Sequence, residues 1–188
     1  MSEILLDIPD QIASERLIIR SPMPGDGLAL HACVAATLEQ LRAWPASLPW
    51  AASEPSVDAS ETCCRQSRID YLARKGLPML PFLKDSGRFA GACGLHGIDW
   101  KHKQAELGYW RHRELQGLGL ITEAAQAICS FAQSQLGLRR IACLPDALNL
   151  DSRRVAERAG FQLEGILRNE RIAPGGSLRG SALYALAN

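Results

Sequence analysis

Gln104 to Ala125 reads QAELGYWRHRELQGLGLITEAA, and its periodicity changes part-way along. Up to Arg111 the residues suit an extended strand, with Leu107 and Tyr109 on one face and Trp110 on the other. From around Gly117 the apolar residues recur at helical spacing to about Leu136, where Gly137 stops the helix. Between the two lies Gln116-Gly117-Leu118-Gly119. Glycine at alternate positions permits a tight turn and a close backbone approach to a ligand. A helix starting there offers unpaired N–H groups and a positive dipole end, a combination that receives phosphate. Two glycines that merely ease a strand into a helix would look the same. Thr122 stands where a dinucleotide fingerprint needs its third glycine, and no G-K-[ST] follows to make a P-loop.

Downstream, Arg139–Leu144 reads as a strand and Ser152–Ala159 as a short helix ending at Gly160. Phe161–Ile172 and Leu178–Ala187 form a hairpin across Pro174-Gly175-Gly176. Asn149 lies at the mouth of the 139–144 strand and Ser152 in the first helical turn. Both are ordinary capping residues. Yet ligands of open sheets bind at the carboxyl ends of neighbouring strands, where this segment and the glycine turn both lie. Upstream, Glu15–Ser21 is a strand, Asp26–Arg42 a helix and Ala43–Pro55 a proline-rich loop carrying Trp44 and Trp50. Asp58-x-x-Glu61 resembles a capping box and opens a helix that stops near Gly76. Strands then follow at Leu77–Lys84, Phe89–Trp100 and Lys103–Arg111, the first two joined by Asp85-Ser86-Gly87-Arg88. The order predicts an α/β (α+β) fold: a single domain over residues 1–188, with a mixed seven-stranded sheet and helices on both faces.

A chain of 188 residues suits one domain. Lys plus Arg is 21 against 20 for Asp plus Glu, a net charge of +1, which argues against a nucleic-acid partner. Met1 to Asp10 carries Glu3 and Asp7 and does not read as a secretory signal. No apolar run of about 18 residues occurs, so no membrane partner is expected and a cytoplasmic location is. The six cysteines form no C-x-x-C and read as reduced, mostly buried thiols. The four histidines show no metal-ligand spacing, so no metal is expected.

Taken as a set, several motifs resemble the GNAT acetyltransferases, and within them the Rim-type ribosomal-protein N-acetyltransferases. They are Ala105-Glu106-Leu107-Gly108-Tyr109-Trp110, Gln116-Gly117-Leu118-Gly119 with Thr122-Glu123-Ala124, Asn149-x-x-Ser152, Gly160-Phe161 and Leu163-Glu164-Gly165. The Glu15-Arg16-Leu17 to Arg20 strand and the Trp44/Trp50 loop are similar too. The resemblance implies a sheet splayed between its fourth and fifth strands after Tyr109, with acetyl-CoA in the gap. The pyrophosphate would rest on backbone N–H groups of Gln116, Gly117, Leu118, Gly119, Leu120 and Ile121. The pantetheine would run beside Trp110 and Arg111, with Asn149 holding its end. The partners implied are acetyl-CoA and an amine acceptor, and a homodimer is left open.

The expected reaction is direct acetyl transfer to a primary amine, which attacks only as the free base. For an α-amine of pKa about 8, deprotonation at neutral pH costs roughly 1.4 kcal/mol, against about 4.6 for lysine. A protein N-terminus is therefore favoured. A small-molecule or antibiotic amine, or a CoA-binding module without catalysis, are the alternatives. Glu106, in a strand apolar on both faces, is the candidate proton acceptor, with a structural ion pair as its other reading. An oxyanion would be met by backbone N–H groups around Trp110 or Arg111. Many relatives carry a tyrosine soon after the Asn; here Val155, Ala156 and Glu157 fill that region, so Ser152 takes the thiolate side. Direct transfer is preferred to a cysteine route, because neither Cys93 nor Cys143 has an obvious histidine partner. His96 reads as a structural strand residue near the acceptor side. Arg153 and Arg154 suit either the adenosine phosphates or a solvated helix face. Three positions depart from the family pattern: Glu114 before the glycine turn, Glu170 slightly out of register, and Gly180 in place of an Asp.

Overall fold

The computed structural model describes residues 2–187, and Met1 and Asn188 lie outside it. Its strands are β1 (Gln11–Ala13), β2 (Leu17–Arg20), β3 (Leu77–Leu83), β4 (Gly91–Asp99), β5 (Gln104–Arg111), β6 (Arg140–Cys143), β7 (Gln162–Ile172) and β8 (Leu178–Ala187). Its α-helices are α1 (Gly27–Arg42), α2 (Val57–Leu72), α3 (Leu120–Leu136) and α4 (Leu150–Arg158). The sheet has eight strands rather than seven, in the order β1-β2-β3-β4-β5-β6-β8-β7. The additional one is β1, which pairs with β2 through Gln11↔Arg20 to Ala13↔Ile18. Three residues are too few to display an alternation, so only pairing reveals it.

Both faces of the sheet are covered. α3 and α4 lie on one face, where Ala124, Ala125, Ile128 and Ala156 pack with Leu95, Leu107 and Ile141. The fully buried alanines let α3 sit close to the strands; larger side chains there would overpack by about 1–3 kcal/mol. α1 and α2 cover the other face through Leu30, Val34 and Cys64, packed with Leu80 and Phe89 and flanked by Trp110. α2 starts earlier than the Asp58-x-x-Glu61 pattern suggests. Ser56 is its cap, its hydroxyl accepting from Ala59 N at 3.1 Å. Glu61 instead reaches across to the start of α1, accepting from Gly25 N and Gly27 N at 3.0 Å.

Every pairing is antiparallel except that of β5 with β6. The parallel ladder holds three pairs, Gln104↔Arg140, Ala105↔Ile141 and Glu106↔Ala142, and then stops. β5 stays with β4 as far as Gly91↔Arg111, while β6 stays with β8 through Cys143↔Tyr184. The two strands therefore part after Glu106, three residues before the expected point at Tyr109.

Candidate active site

The register fixes which amides enter the gap between β5 and β6. His112 N donates to Ala90 O at 2.9 Å, and the ladder continues through Trp110↔Ala92 and Gly108↔Gly94. By antiparallel alternation, even-numbered residues of β5 bond to β4 and odd-numbered ones face β6. The N–H and C=O groups of Tyr109 and Arg111, with no strand beside them, thus border the gap. The Trp110 amide points the other way, which narrows the expected oxyanion donors to its neighbours. The Trp110 ring lies on the α1/α2 face, 6.1 Å from both Trp50 and Phe89.

Tyr109 crosses the opening. Its hydroxyl donates to Ser152 O at 2.7 Å and receives the Ser152 hydroxyl at 3.3 Å and the Cys143 thiol at 3.6 Å. Burial pushes the phenol pKa far above its ordinary value, so the proton stays in place. Sequence reading treated Tyr109 only as part of a strand; no local signal marks a contact over 43 positions. Asn149 Oδ1 accepts from Ser152 N at 3.1 Å, a plain N-cap for α4. Its amide nitrogen remains the group that can meet a ligand.

The glycine turn lies at the start of α3. Gly117 and Gly119 take φ of 82° and 74°, values that disfavour any side chain. Gly119 is the N-cap and supplies no side chain, and Glu123 N closes the first turn on Gly119 O at 3.0 Å. Gly117 N to Ile121 N have no acceptor among the described residues. Gln116 is the exception to the expected set, because its N–H is spent on Arg113 O at 3.2 Å. Leu120 and Ile121 bury their side chains and offer only backbone.

Arg16 fastens this turn. It donates to Leu118 O at 2.9 Å and to Glu123 from both side chain and backbone at 2.7 Å, while Ser14 Oγ reaches Glu123 at 2.7 Å. Burial alone would raise the Glu123 pKa, but these contacts bring it below its ordinary value. An anionic group is thereby neutralised at the helix start. Glu114, the departure before the glycine turn, is also matched, by Arg88 at 2.6 Å. Arg111 Nη2 lies 3.3 Å from Asp151, and its buried Nε has no partner. Arg153 turns inward to Tyr184 Oη and Ala147 O, both at 3.1 Å, whereas Arg154 is solvent-facing.

Residues 16–162 match the family model described as an acetyltransferase (GNAT) domain. The chain belongs to the GNAT acetyltransferases. It is 32% identical over 157 residues to YdaF of Bacillus subtilis strain 168, provisionally named a ribosomal N-acetyltransferase, covering 83% of each chain. It is 34% identical over 99 residues to the ribosomal-protein-serine acetyltransferase of Escherichia coli K12, covering 52% and 54%. The microcin C7 self-immunity acetyltransferase MccE, solved with acetyl-CoA and AMP, superimposes with a TM-score of 0.85 at 25% identity, over 96% and 98% of the chains.

In this GNAT enzyme the gap opens into a cavity of about 1060 Å³ that contains Glu106, Tyr109, Asn149 and Ser152 together. Glu106 is half-buried, with its Oε1 3.7 Å from Nε2 of His96. Sequence reading left His96 as a structural residue; its pairing across the strands to Glu106 needs the register to be seen. Glu170 follows an irregularity in the β7–β8 register, where Asn169 takes a φ of 55°. It accepts from Ser181 Oγ at 2.6 Å and pairs with Arg171 at 3.0 Å. Gly180 is needed for packing, since a Cβ there would lie 2.9 Å from Leu167 O. The distal wall joins the β7–β8 hairpin to the loop between α1 and α2: Arg171 donates to Ser47 Oγ at 3.0 Å, and the Arg179 guanidinium stacks 5.9 Å over Trp44. Asp146, also buried there, holds Arg179 at 2.8 and 2.9 Å.

Burial pushes the Cys143 thiol up to about 12 and the Cys93 thiol well above its ordinary range. No cluster of three or more His, Cys, Asp or Glu able to hold a metal occurs among the described residues. No helix there is long and apolar enough to cross a membrane.

Proposed function

We propose that the protein moves an acetyl group from acetyl-CoA directly to a primary amine, with a protein N-terminal α-amine as the favoured acceptor. One observation carries this reading: the β5–β6 ladder ends at Glu106↔Ala142, so two unpaired backbone edges, an uncapped helix start and a carboxylate share one opening. The residues present fit the coenzyme. The free amides from Gly117 to Ile121 suit a diphosphate, and the orphaned Arg111 Nε is a further donor beside the gap. The unpaired edge of β5 suits the amides of a pantetheine arm, which would lie there as an added strand.

Each remaining role belongs to a named group. Glu106 takes the proton that the amine must lose, and the Arg111 or Tyr109 N–H meets the oxyanion. Ser152 Oγ, held to Tyr109 only by a 3.3 Å contact, is free to turn toward the departing thiolate. The names of the B. subtilis and E. coli relatives support a ribosomal-protein acceptor and a cytoplasmic setting. Release of free CoA, followed over N-terminal peptides, polyamines and aminoglycosides, tests the assignment. Glu106→Gln is expected to lower kcat by about 10²–10³-fold, with CoA affinity by calorimetry within twofold. CoA binding without transfer to any amine by the unsubstituted protein would leave a binding module instead.

A further inference from the structure

We propose that His96 forms a two-station proton relay with Glu106, taking from the carboxylate the proton that the amine has given up. This rests on the acetyl transfer proposed above. His96 and Glu106 are direct partners across β4 and β5, so their side chains rise from the same face of the sheet into the cavity. The Nε2 to Oε1 separation of 3.7 Å is a few tenths of an ångström beyond a hydrogen bond. The seat of the imidazole is cleared by a glycine. A Cβ on Gly108 would meet His96 Nε2 at 3.1 Å and Cδ2 at 3.3 Å. The His96 side chain is 57% exposed against 35% for Glu106, so the imidazole is the wetter of the two.

The acceptor ammonium has two protons to lose in the full reaction. The first passes to Glu106, and the amine lone pair forms the N–C bond. When the C–S bond breaks, the thiolate leaves with the electron pair and takes up the second proton from the nitrogen. Glu106 must then discharge. His96 Nε2 accepts its proton, the resulting imidazolium faces a carboxylate of opposite charge, and the proton leaves to water on the exposed side. Among free groups an imidazole titrates near 6.5, a carboxylate near 4.3 and an α-amine near 8. A free imidazole is thus a stronger base than a free carboxylate, which is the direction in which the proton has to pass.

Other ionisable groups on the cavity wall are accounted for. β3 brings Pro78, without charge, toward His96. α2 brings Cys63 and Cys64, β4 itself Cys93 and β6 Cys143. Burial keeps Cys64 and Cys143 protonated, up to about 12, and Cys93 likewise. Arg171 is engaged by Glu170 and Ser47, Asp146 by Arg179, and Glu54 by Arg42. Tyr109 is locked to Ser152. Glu106 is the one carboxylate paired with the imidazole.

His96→Gln tests the relay, because glutamine keeps the polar contact but cannot carry the proton. The expected result is a fall in kcat of about tenfold, less than the loss of a direct base. KM for the amine and Kd for acetyl-CoA stay within twofold, and added imidazole restores turnover. The pH–rate profile of the variant differs in shape from that of the unsubstituted enzyme. An unchanged kcat and profile would overturn the relay. So would a loss that imidazole does not rescue and that leaves the profile unmoved, which would make His96 structural. If the unsubstituted protein acetylates no amine, the proposed function fails first, and that failure is seen without any variant.

Discussion

Cys143 lies at the mouth of the gap, 3.6 Å from the Tyr109 hydroxyl, where a nucleophile would be expected. Its chemistry says otherwise. Burial pushes its pKa to about 12, opposed by the Tyr109 contact, so near neutral pH the thiol keeps its proton. Cys143→Ala is therefore expected to retain kcat within about threefold, and mass spectrometry during turnover should find no acetyl group on a thiol. Iodoacetamide at neutral pH should modify the exposed Cys63 well before Cys143. Single residues were legible from sequence where their placement is local: Glu106 as a carboxylate within a strand, and the alternate glycines at the turn before α3. The contacts of His96 and Tyr109 were not, because each is made with a partner on another element.

The opening of α3 is positioned by the strand at the other end of the sheet. Arg16, just before β2, ties Leu118 O and Glu123 together across more than a hundred residues. Removing it would release the turn and leave Glu123 uncompensated beside the proposed diphosphate site. Arg16→Ala is expected to raise Kd for acetyl-CoA about tenfold, while acetyl-pantetheine, which lacks the diphosphate, is bound as before. The same clasp has a pH signature. Glu123 is held below its ordinary 4.5 in the folded chain, so its stabilising contribution is complete above that value. It is lost as pH falls through the lowered folded pKa. The stability difference between the unsubstituted protein and Glu123→Gln should shrink steadily below pH 4.5 in urea melts. Sequence periodicity located the turn and all four helices; it missed β1 and set the cap of α2 too late. Short elements and caps depend on hydrogen bonds that a pattern of apolar residues does not record.

For the molecule as a whole, strand order was the least legible feature. Both β7 and β8 were readable as a hairpin, but nothing local says that β8 enters beside β6 and leaves β7 at the edge. That insertion brings the last hairpin to the Trp44–Pro55 loop and completes the wall facing Glu106. Arg171→Ala, which severs the contact with Ser47, should raise KM for the amine about fivefold and leave Kd for acetyl-CoA unchanged. Equal losses for both substrates would show instead that the whole sheet had loosened.

The bond between Arg171 and Ser47 spans 124 positions, and the strand that carries Arg171 is held by the final one. As the polypeptide is made, β6 has no outer neighbour until β8 arrives, and Tyr184, wholly buried in the main core, arrives with it. A chain cut short after Gly160 would lack the strand that carries Arg171 and the antiparallel partner of β6. No copy can close the wall around the gap before β8 has been made.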